Sequence, residues 1–332
     1  MKKLLITLAF AGFLSSCETM NDDPNEAPEI TNSMDFDKAY DLAVKHGKDT
    51  LKSFKKRVRH NREWRKLQKR SSYELESQYK TMSVSKLQRV ASLYHLITPE
   101  ISPKILKNML RSPDKGVRKI GLQIAGLKPS PSVAKVLENT LTLAILENRE
   151  KDFYTEELAH AIRANEVKSA YSFLKQGLIT TGSEEFARAL ASLAPERAGY
   201  DFMEYIGQAT VDDLRQLNQT SINVYTCIII FRFFMDQGLP VAHPEAGKMF
   251  AFSISRNRAL ADMAVLLLES NIPSYRDEFS YILAKQPMSI QMAFIENVVR
   301  NPTTNIKLLL SDLKSVTAFS EVREEINSFR QL

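Results

Sequence analysis

The chain has 332 residues, of which 44% are hydrophobic and 25% are charged, a composition typical of folded proteins and not of disordered ones. Its formal net charge is +6, but residues 45–70 alone carry twelve lysines and arginines against two acids. Because the positive charge is concentrated in one segment, the net charge argues against a generally basic, nucleic-acid-binding body.

The first sixteen residues have the three-part form of a secretion signal. Lys2 and Lys3 give a basic start, residues 4–14 form an uncharged and mainly apolar run, and two serines precede Cys17. The run is too short for a membrane-spanning helix, which needs about 20 apolar residues. The sequence therefore predicts a signal peptide over residues 1–16.

The residues Leu14-Ser15-Ser16-Cys17 resemble the lipobox of bacterial lipoproteins. In that family the signal is removed before the cysteine, the thiol is diacylated, and the new amino group is acylated. The resemblance implies a lipid attachment site at Cys17 and a cell-envelope protein that its lipid holds to a membrane. In the enterobacterial sorting rule Asp after the cysteine favours the inner membrane. Glu18 stands there, so we expect an outer-membrane address facing the periplasm.

Residues 17–33 predict an acidic tether that starts at the lipidated cysteine. The stretch is polar, contains two prolines and has no apolar periodicity, as in flexible linkers. A coil of this length would reach on the order of 20 Å and would keep the folded body near the lipid surface.

Residues 34–82 predict a helical N-terminal segment that is rich in basic residues. Asp35 opens a first helix, in which Ala39, Tyr40 and Ala43 share one face. We expect that face to be buried.

Residues 45–70, which we call the basic segment, carry an apolar stripe at Leu51, Phe54 and Val58 surrounded by cations. The candidate binding residues for an anionic surface are Lys52, Lys55, Lys56, Arg57, Arg59, Arg62, Arg65, Lys66, Lys69 and Arg70. Two interpretations are open. The segment is either an electrostatic docking surface or a solvated helix face that the acids of residues 18–44 partly neutralise.

Residues 83–332 predict successive helices joined by short polar turns. A capping side chain stands before proline in five places, and proline is favoured at the first position of a helix. These pairs are Thr98-Pro99, Ser102-Pro103, Ser112-Pro113, Ser130-Pro131 and Asn301-Pro302, with weaker versions at Ala194-Pro195 and His243-Pro244. Sustained alternation and hairpin dipeptides are missing, so the fold class predicted is all-α.

Internal similarity indicates helical repeats. Residues 108–113 return in related form at 297–302, and residues 110–118 resemble the HEAT-repeat pattern, in which Asp-x-x-Val-Arg opens the second helix. The resemblance implies that Asp114 and Arg118 join a polar ladder between neighbouring repeats and that Val117 faces the core. We therefore predict a HEAT-like, right-handed α-solenoid over residues 83–332.

Two further features have a structural interpretation. Residues 224–235 are strongly apolar but short, and they include Cys227, so we expect a buried central helix with a buried thiol. Glu157 and His160 have the spacing of di-iron helical bundles, but no second copy appears, so we expect no metal site.

The sequence has none of the common nucleophile, phosphate-binding or zinc motifs, so we expect no catalytic residues and no cofactor. The favoured function is a lipid-anchored scaffold that binds an envelope protein or peptidoglycan through its helical surface. One alternative is a peptidoglycan-active enzyme, whose signature would be a cleft with two facing carboxylates. Another is a nucleic-acid-binding protein, similar to the HEAT-like glycosylases that act on alkylated bases. An export signal and a near-neutral body argue against nucleic acid as a partner.

Overall fold

The structure is a computed structural model that describes residues 36–46, 61–210, 223–300 and 302–329. Within these ranges the chain forms sixteen α-helices and no strand, which confirms the all-α prediction. The helices are α1 (Phe36–His46), α2 (Asn61–Tyr73), α3 (Val84–Ile97), α4 (Pro103–Leu110), α5 (Lys115–Leu127), α6 (Pro131–Leu146), α7 (Glu156–Ala164), α8 (Tyr171–Thr181), α9 (Glu184–Leu193), α10 (Pro195–Gly207), α11 (Val224–Gln237), α12 (Lys248–Phe252), α13 (Arg258–Ala284), α14 (Met288–Val298), α15 (Thr304–Val316) and α16 (Ser320–Ser328).

The chain divides into two compact units, Met1–Pro99 and Glu100–Leu332. In the first unit α1 and α2 both pack against α3, and the π-helical turn Glu74–Gln78 continues α2. The predicted face of α1 is buried, because Ala39, Tyr40 and Ala43 are each at most 1% exposed. Helix α3, which the sequence analysis assigned to the repeat body, therefore belongs to the first unit.

The second unit is built of two layers of helices. The first layer contains α5, α7, α9, α11, α13 and α15, and each of these packs against the next one in the layer. The second layer contains α4, α6, α8, α10, α12, α14 and α16, with contacts along it made directly or through short 3₁₀ turns. Helices consecutive in sequence connect the two layers, for example α4 with α5 and α8 with α9. Most of the core therefore lies between the layers.

Side chains that bond to backbone groups join some helix pairs to the preceding one. Asn165 at the end of α7 donates to the carbonyl of Ala125, 40 residues earlier, at 2.9 Å, and accepts from the Ser130 backbone amide at 3.0 Å. Asn297 donates to the Ser253 carbonyl, 44 residues earlier, at 2.7 Å. These bonds satisfy buried backbone groups at the helix joints, where the helices themselves supply no partner.

Proline-linked caps are confirmed in part. Ser130, the N-cap residue of α6, accepts from the Val133 amide at 3.3 Å, and Ala194 and His243 also stand just before a proline that opens a helix or a 3₁₀ turn. Ser102 likewise precedes Pro103 at the start of α4.

Two of the predicted caps are wrong, and Asn301 lies outside the described residues. Thr98 ends α3, because a residue before proline is driven towards extended backbone. Helix α5 is capped by Asp114 instead of Ser112, and the N-cap residue of α15 is Thr303. In both helices the capping side chain comes immediately after the proline.

Helix α11 confirms the prediction of a buried helix. Cys227, Ile230, Phe231 and Phe234 are fully buried, and α11 packs against helices of both layers. Within the described ranges, no helix combines the length and the apolar character that crossing a bilayer requires.

The packing of α8 on α9 requires a glycine. A Cβ atom added at Gly177 would lie 2.2 Å from Cε1 of Phe186, whose side chain is fully buried. We expect Gly177→Ala to lower the free energy of unfolding by about 1–3 kcal/mol, the usual range for overpacking, although alanine has the higher helix propensity. Urea unfolding followed by circular dichroism measures this change.

Gly199 of α10 provides the matched control for that substitution. A Cβ atom there would meet its nearest neighbours, the rings of Phe233 and Phe234, at 3.8 Å, which is ordinary contact. Gly199→Ala is expected to be neutral or stabilising. Equal stabilities of the two variants would contradict the close approach of α8 and α9.

Candidate functional site

Several predicted binding residues lie outside the described ranges. These are the lipid attachment residue Cys17 and the cations Lys52, Lys55, Lys56, Arg57 and Arg59. Arg62 lies in α2, but its side chain is not described. Arg65, Lys66 and Lys69 are exposed on α2, where an anionic surface can reach them.

Arg70, the last cation of the basic segment, is surrounded by acids of the first unit. Its Nη1 pairs with Asp37, and its Nη2 lies 3.4 Å from Oδ1 of Asp41. Its Nε lies 3.3 Å from Oε1 of Glu74, and its guanidinium carbon lies 4.2 Å from the centre of the Tyr40 ring. We call these five residues the Arg70 cluster.

The Arg70 cluster combines exposed and buried charge. The side chains of Asp37 and Asp41 are 80% and 71% exposed, whereas Glu74 is buried in the π-helical turn. Burial first, and then the negative charge of Glu74, raises the pKa of Tyr40 well above its usual value, so the phenol stays protonated. For Arg70, the structure therefore agrees with the second interpretation, in which acids before residue 45 partly neutralise the basic segment.

Asp114 and Arg118 act at the loop between α4 and α5. Asp114 Oδ1 accepts from the amides of Gly116 and Val117 at 2.6 and 3.2 Å, which caps α5. Arg118 is 4% exposed, and its Nη1 donates to the carbonyls of Ser112 and Pro113 at 2.9 and 2.8 Å. Val117 is buried, as predicted. These contacts lie within one helix pair, and a ladder to a neighbouring repeat stays a prediction for both charged residues.

Charged pairs between successive helices of the first layer do occur at other residues. Lys119 Nζ of α5 lies 2.9 Å from Oε1 of Glu157 on α7, and Arg163 Nη2 of α7 lies 3.2 Å from Oε2 of Glu185 on α9. Glu157 is therefore engaged in an ion pair. Among the described residues, no group of three or more His, Cys, Asp or Glu side chains could hold a metal ion.

Cys227 and His160 have the chemistry of a nucleophile and of a base, but Cys227 is in the core and His160 is half-buried. Cys227 is fully buried, and burial raises the pKa of its thiol to about 12, so that it is not a thiolate at neutral pH. Burial, together with the charge of Arg163, lowers the pKa of His160, which keeps the imidazole neutral. Its ring fills the space beside Gly126, where an added Cβ atom would lie 2.5 Å from His160 Cδ2. His160 is therefore part of the packing of α5 on α7.

A cleft of about 540 Å³ lies in the second unit, where the end of α7, the start of α8, the end of α9 and the start of α10 meet. It is lined by Arg163, Glu166, Lys168, Tyr171, Ser192, Leu193, Ala194, Pro195, Glu196 and Arg197. Ligand sites in proteins typically have volumes of about 300–1,000 Å³, so the cleft is large enough for a small molecule or a short peptide. No signal in the sequence pointed to this site.

A chain of contacts holds one cation of the cleft in place. The guanidinium carbon of Arg197 lies 4.1 Å from the centre of the Tyr171 ring, a stacking arrangement that leaves the residue itself exposed. The Tyr171 hydroxyl donates to Asp201 Oδ2, and Lys175 Nζ lies 2.7 Å from Asp201 Oδ1 and 2.8 Å from Glu204 Oε2. Burial first, and then the bond to Asp201, raises the pKa of Tyr171, so its hydroxyl remains a donor. The Tyr171 ring therefore holds Arg197 in position, and the bonds from Tyr171 to Asp201 and from Asp201 to Lys175 hold the ring.

Comparisons of the chain with protein-family models, with curated proteins and with solved structures gave no match. The class of the protein therefore follows from its own structure, which is that of an all-α protein with a two-layer arrangement of helices in its second unit.

Proposed function

We propose that the protein is a lipid-anchored scaffold of the bacterial cell envelope that binds its partners without catalysis. In this proposal Cys17 carries the lipid, residues 17–33 are the tether, and the helices of the second unit form a HEAT-like α-solenoid. The body would lie in the periplasm, attached to the outer membrane, and its partner would be an envelope protein or peptidoglycan. We expect no nucleic-acid partner.

The observation that carries the proposal is the two-layer stack, in which successive helices of each layer follow one another and several pairs of consecutive helices connect the layers. Solenoids have this pattern, because a single helix pair cannot bury its own apolar face. The side-chain bonds to the preceding pair support a repeat, since they join residues 40 and 44 positions apart. Repeats of the HEAT type are about 40–47 residues long.

The charged pairs Lys119–Glu157 and Arg163–Glu185 also support the solenoid, because they connect successive helices of one layer as a polar ladder would. Such a stack presents a long continuous surface, and this geometry suits the recognition of extended partners.

The cleft is relevant to the alternative of a peptidoglycan-cleaving enzyme, because it contains two carboxylates, Glu166 and Glu196. Hydrolysis of a glycosidic bond requires one carboxyl group that an apolar environment keeps protonated. Both residues are exposed, and the cations Lys168 and Arg197 line the same cleft. The environment therefore favours binding over acid catalysis.

The basic segment is proposed to dock the body onto an anionic surface. Each Lys or Arg close to anionic lipid is worth about 1 kcal/mol, and the attraction falls off within a Debye length of about 8–10 Å. Arg70 is expected to contribute less than an unpaired cation would, because Asp37 and Asp41 already pair with it.

The docking role predicts binding that depends steeply on salt. Unacylated protein that begins after Cys17 is mixed with anionic vesicles or with purified sacculi, and the bound fraction is measured by sedimentation. We expect binding to weaken strongly between low and physiological salt, and to fall when Lys55, Lys56, Arg57 and Arg59 are all replaced by Gln.

The matched control replaces four exposed cations of the second unit, Lys135, Lys151, Arg232 and Arg256, by Gln. This variant has the same net charge as the first, so it should keep its binding if the basic segment is the docking surface. Binding that does not change with salt concentration, or that falls equally in both variants, would rule the docking role out.

A further inference from the structure

The cleft between α7, α8, α9 and α10 is lined by several charged residues. Some neighbouring helices of the second unit are joined by ion pairs, as Lys119 with Glu157 and Arg276 with Asp312, whose closest atoms are 2.9 and 2.7 Å apart. Within the described part of the chain, the cleft residues Glu166, Lys168, Glu196 and Arg197 form no such ion pair, although all four are exposed. Two cations and two carboxylates therefore line one concavity with their charges available to a ligand.

The framework of the cleft is held by interactions that do not use these four groups. Arg163 pairs with Glu185, and Tyr171 is anchored through Asp201 to Lys175. Leu193 and Pro195 add apolar surface beside the charges. The side chains that form the cleft are thus already held in place before a ligand binds. This preorganisation reduces the loss of conformational entropy on binding.

The backbone at Glu166 keeps one carboxylate in this position. Its φ of 52° is in the left-handed region, directly after Asn165, whose side chain bonds to the Ala125 carbonyl and the Ser130 amide. The turn after α7 is therefore fixed by the same asparagine that joins this helix pair to the preceding one. Glu166 and Lys168 follow Asn165 closely, so the fixed turn also sets where these two residues lie in the cleft.

The available charges define the chemistry of a ligand. A simple anion would use the cations, but it would be repelled by the carboxylates. A ligand with separated positive and negative groups can satisfy both, because charge-assisted hydrogen bonds form with guanidinium, ammonium and carboxylate alike. The volume of about 540 Å³ accommodates a few amino-acid residues.

We propose that this cleft binds a short peptide that presents both a free carboxylate and a free ammonium group. Lys168 and Arg197 would bind the carboxylate, and Glu166 and Glu196 would bind the ammonium. The inference rests on the proposed binding function and deepens it by naming a class of ligand. Stem peptides of peptidoglycan and ordinary oligopeptides share this chemistry, and the experiment separates the two sources.

The test is isothermal titration of the mature protein in nonionic detergent with four probes. These probes are the stem tripeptide alanyl-γ-glutamyl-diaminopimelate, trialanine, trialanine blocked at both ends, and inorganic phosphate. We expect saturable binding of one tripeptide per chain, and binding of the blocked peptide and of phosphate at least tenfold weaker. Tighter binding of the stem tripeptide assigns the ligand to peptidoglycan, and equal binding of trialanine assigns it to oligopeptides in general.

Variants locate the binding in the cleft. Lys168→Gln and Glu166→Gln are each expected to weaken tripeptide binding at least fivefold. The matched controls, Arg232→Gln and Glu296→Gln at exposed positions outside the cleft, should stay within twofold. Thermal melting of each variant checks that it remains folded.

Three results would overturn the proposal. They are no saturable binding of either tripeptide, equal binding of the blocked peptide, and tighter phosphate binding by Glu166→Gln, which would indicate a plain anion site. Failure of the docking role is distinguishable, because the peptides are soluble and the basic segment is unchanged in all these variants.

Discussion

The protein with Cys17→Ala is expected to leave the membrane fraction or to accumulate with its signal peptide uncut. The thiol is the group that would carry the lipid, and the signal is cut before this residue in the lipoproteins that the lipobox resembles. Phase separation in detergent and the electrophoretic mobility of the processed chain measure the two effects.

Cys227→Ala is the control for the anchoring experiment. This cysteine is fully buried in α11, so its replacement removes a thiol but leaves any lipid attachment untouched. It is expected to partition with membranes as the parent does. If Cys17→Ala is processed normally and still partitions into detergent, the lipoprotein proposal fails.

Ile124→Ala is expected to lower the free energy of unfolding by about 2–5 kcal/mol, the usual range for removing a large buried aliphatic side chain. Ile124 is 3% exposed and shares the buried face of α5 with Val117 and Ile120, which are 6% and 3% exposed. The lost apolar burial and the cavity left between the layers both act in the same direction. Chemical denaturation of both proteins measures the difference.

The control for this core substitution is Ile145→Ala on α6, where the isoleucine is 51% exposed. A substitution away from the core usually changes stability by less than about 0.5 kcal/mol. If Ile124→Ala unfolds at the same denaturant concentration as Ile145→Ala, the assignment of the buried face of α5 is wrong.

Local patterns were enough to predict the helices and several of their faces. The resemblance of residues 110–118 to the HEAT-repeat pattern implied that Val117 faces the core, and the apolar run at Cys227 predicted a buried helix. Caps were predicted less well, because two side chains on either side of a proline can compete for the same amides. Asp114, for example, caps α5 in place of Ser112, which precedes the proline.

The cleft could not be predicted from the sequence, because its residues come from four helix ends that only the stacking of two layers brings together. The Arg70 cluster could not be predicted from the sequence for a related reason. Arg70 and Asp37 are 33 positions apart, and Arg70 is one of twelve basic residues in its segment. The periodicity of a single helix does not show which of its many cations pairs with an acidic residue on a different helix.

The Arg70 cluster is one of the contacts that would resist a mechanical pull on the N-terminal extension, together with the buried face of α1. A pull on the N-terminal extension reaches α1 first along the chain, and the cluster joins α1 to α2 through the exposed acids Asp37 and Asp41. Ion pairs of this kind yield over a short distance and are weakened by salt. Once detached and extended, the eleven residues of α1 would span about 35–40 Å instead of the roughly 16 Å of the helix. An unfolded α1 would therefore add roughly 20 Å to the reach of the N-terminal extension.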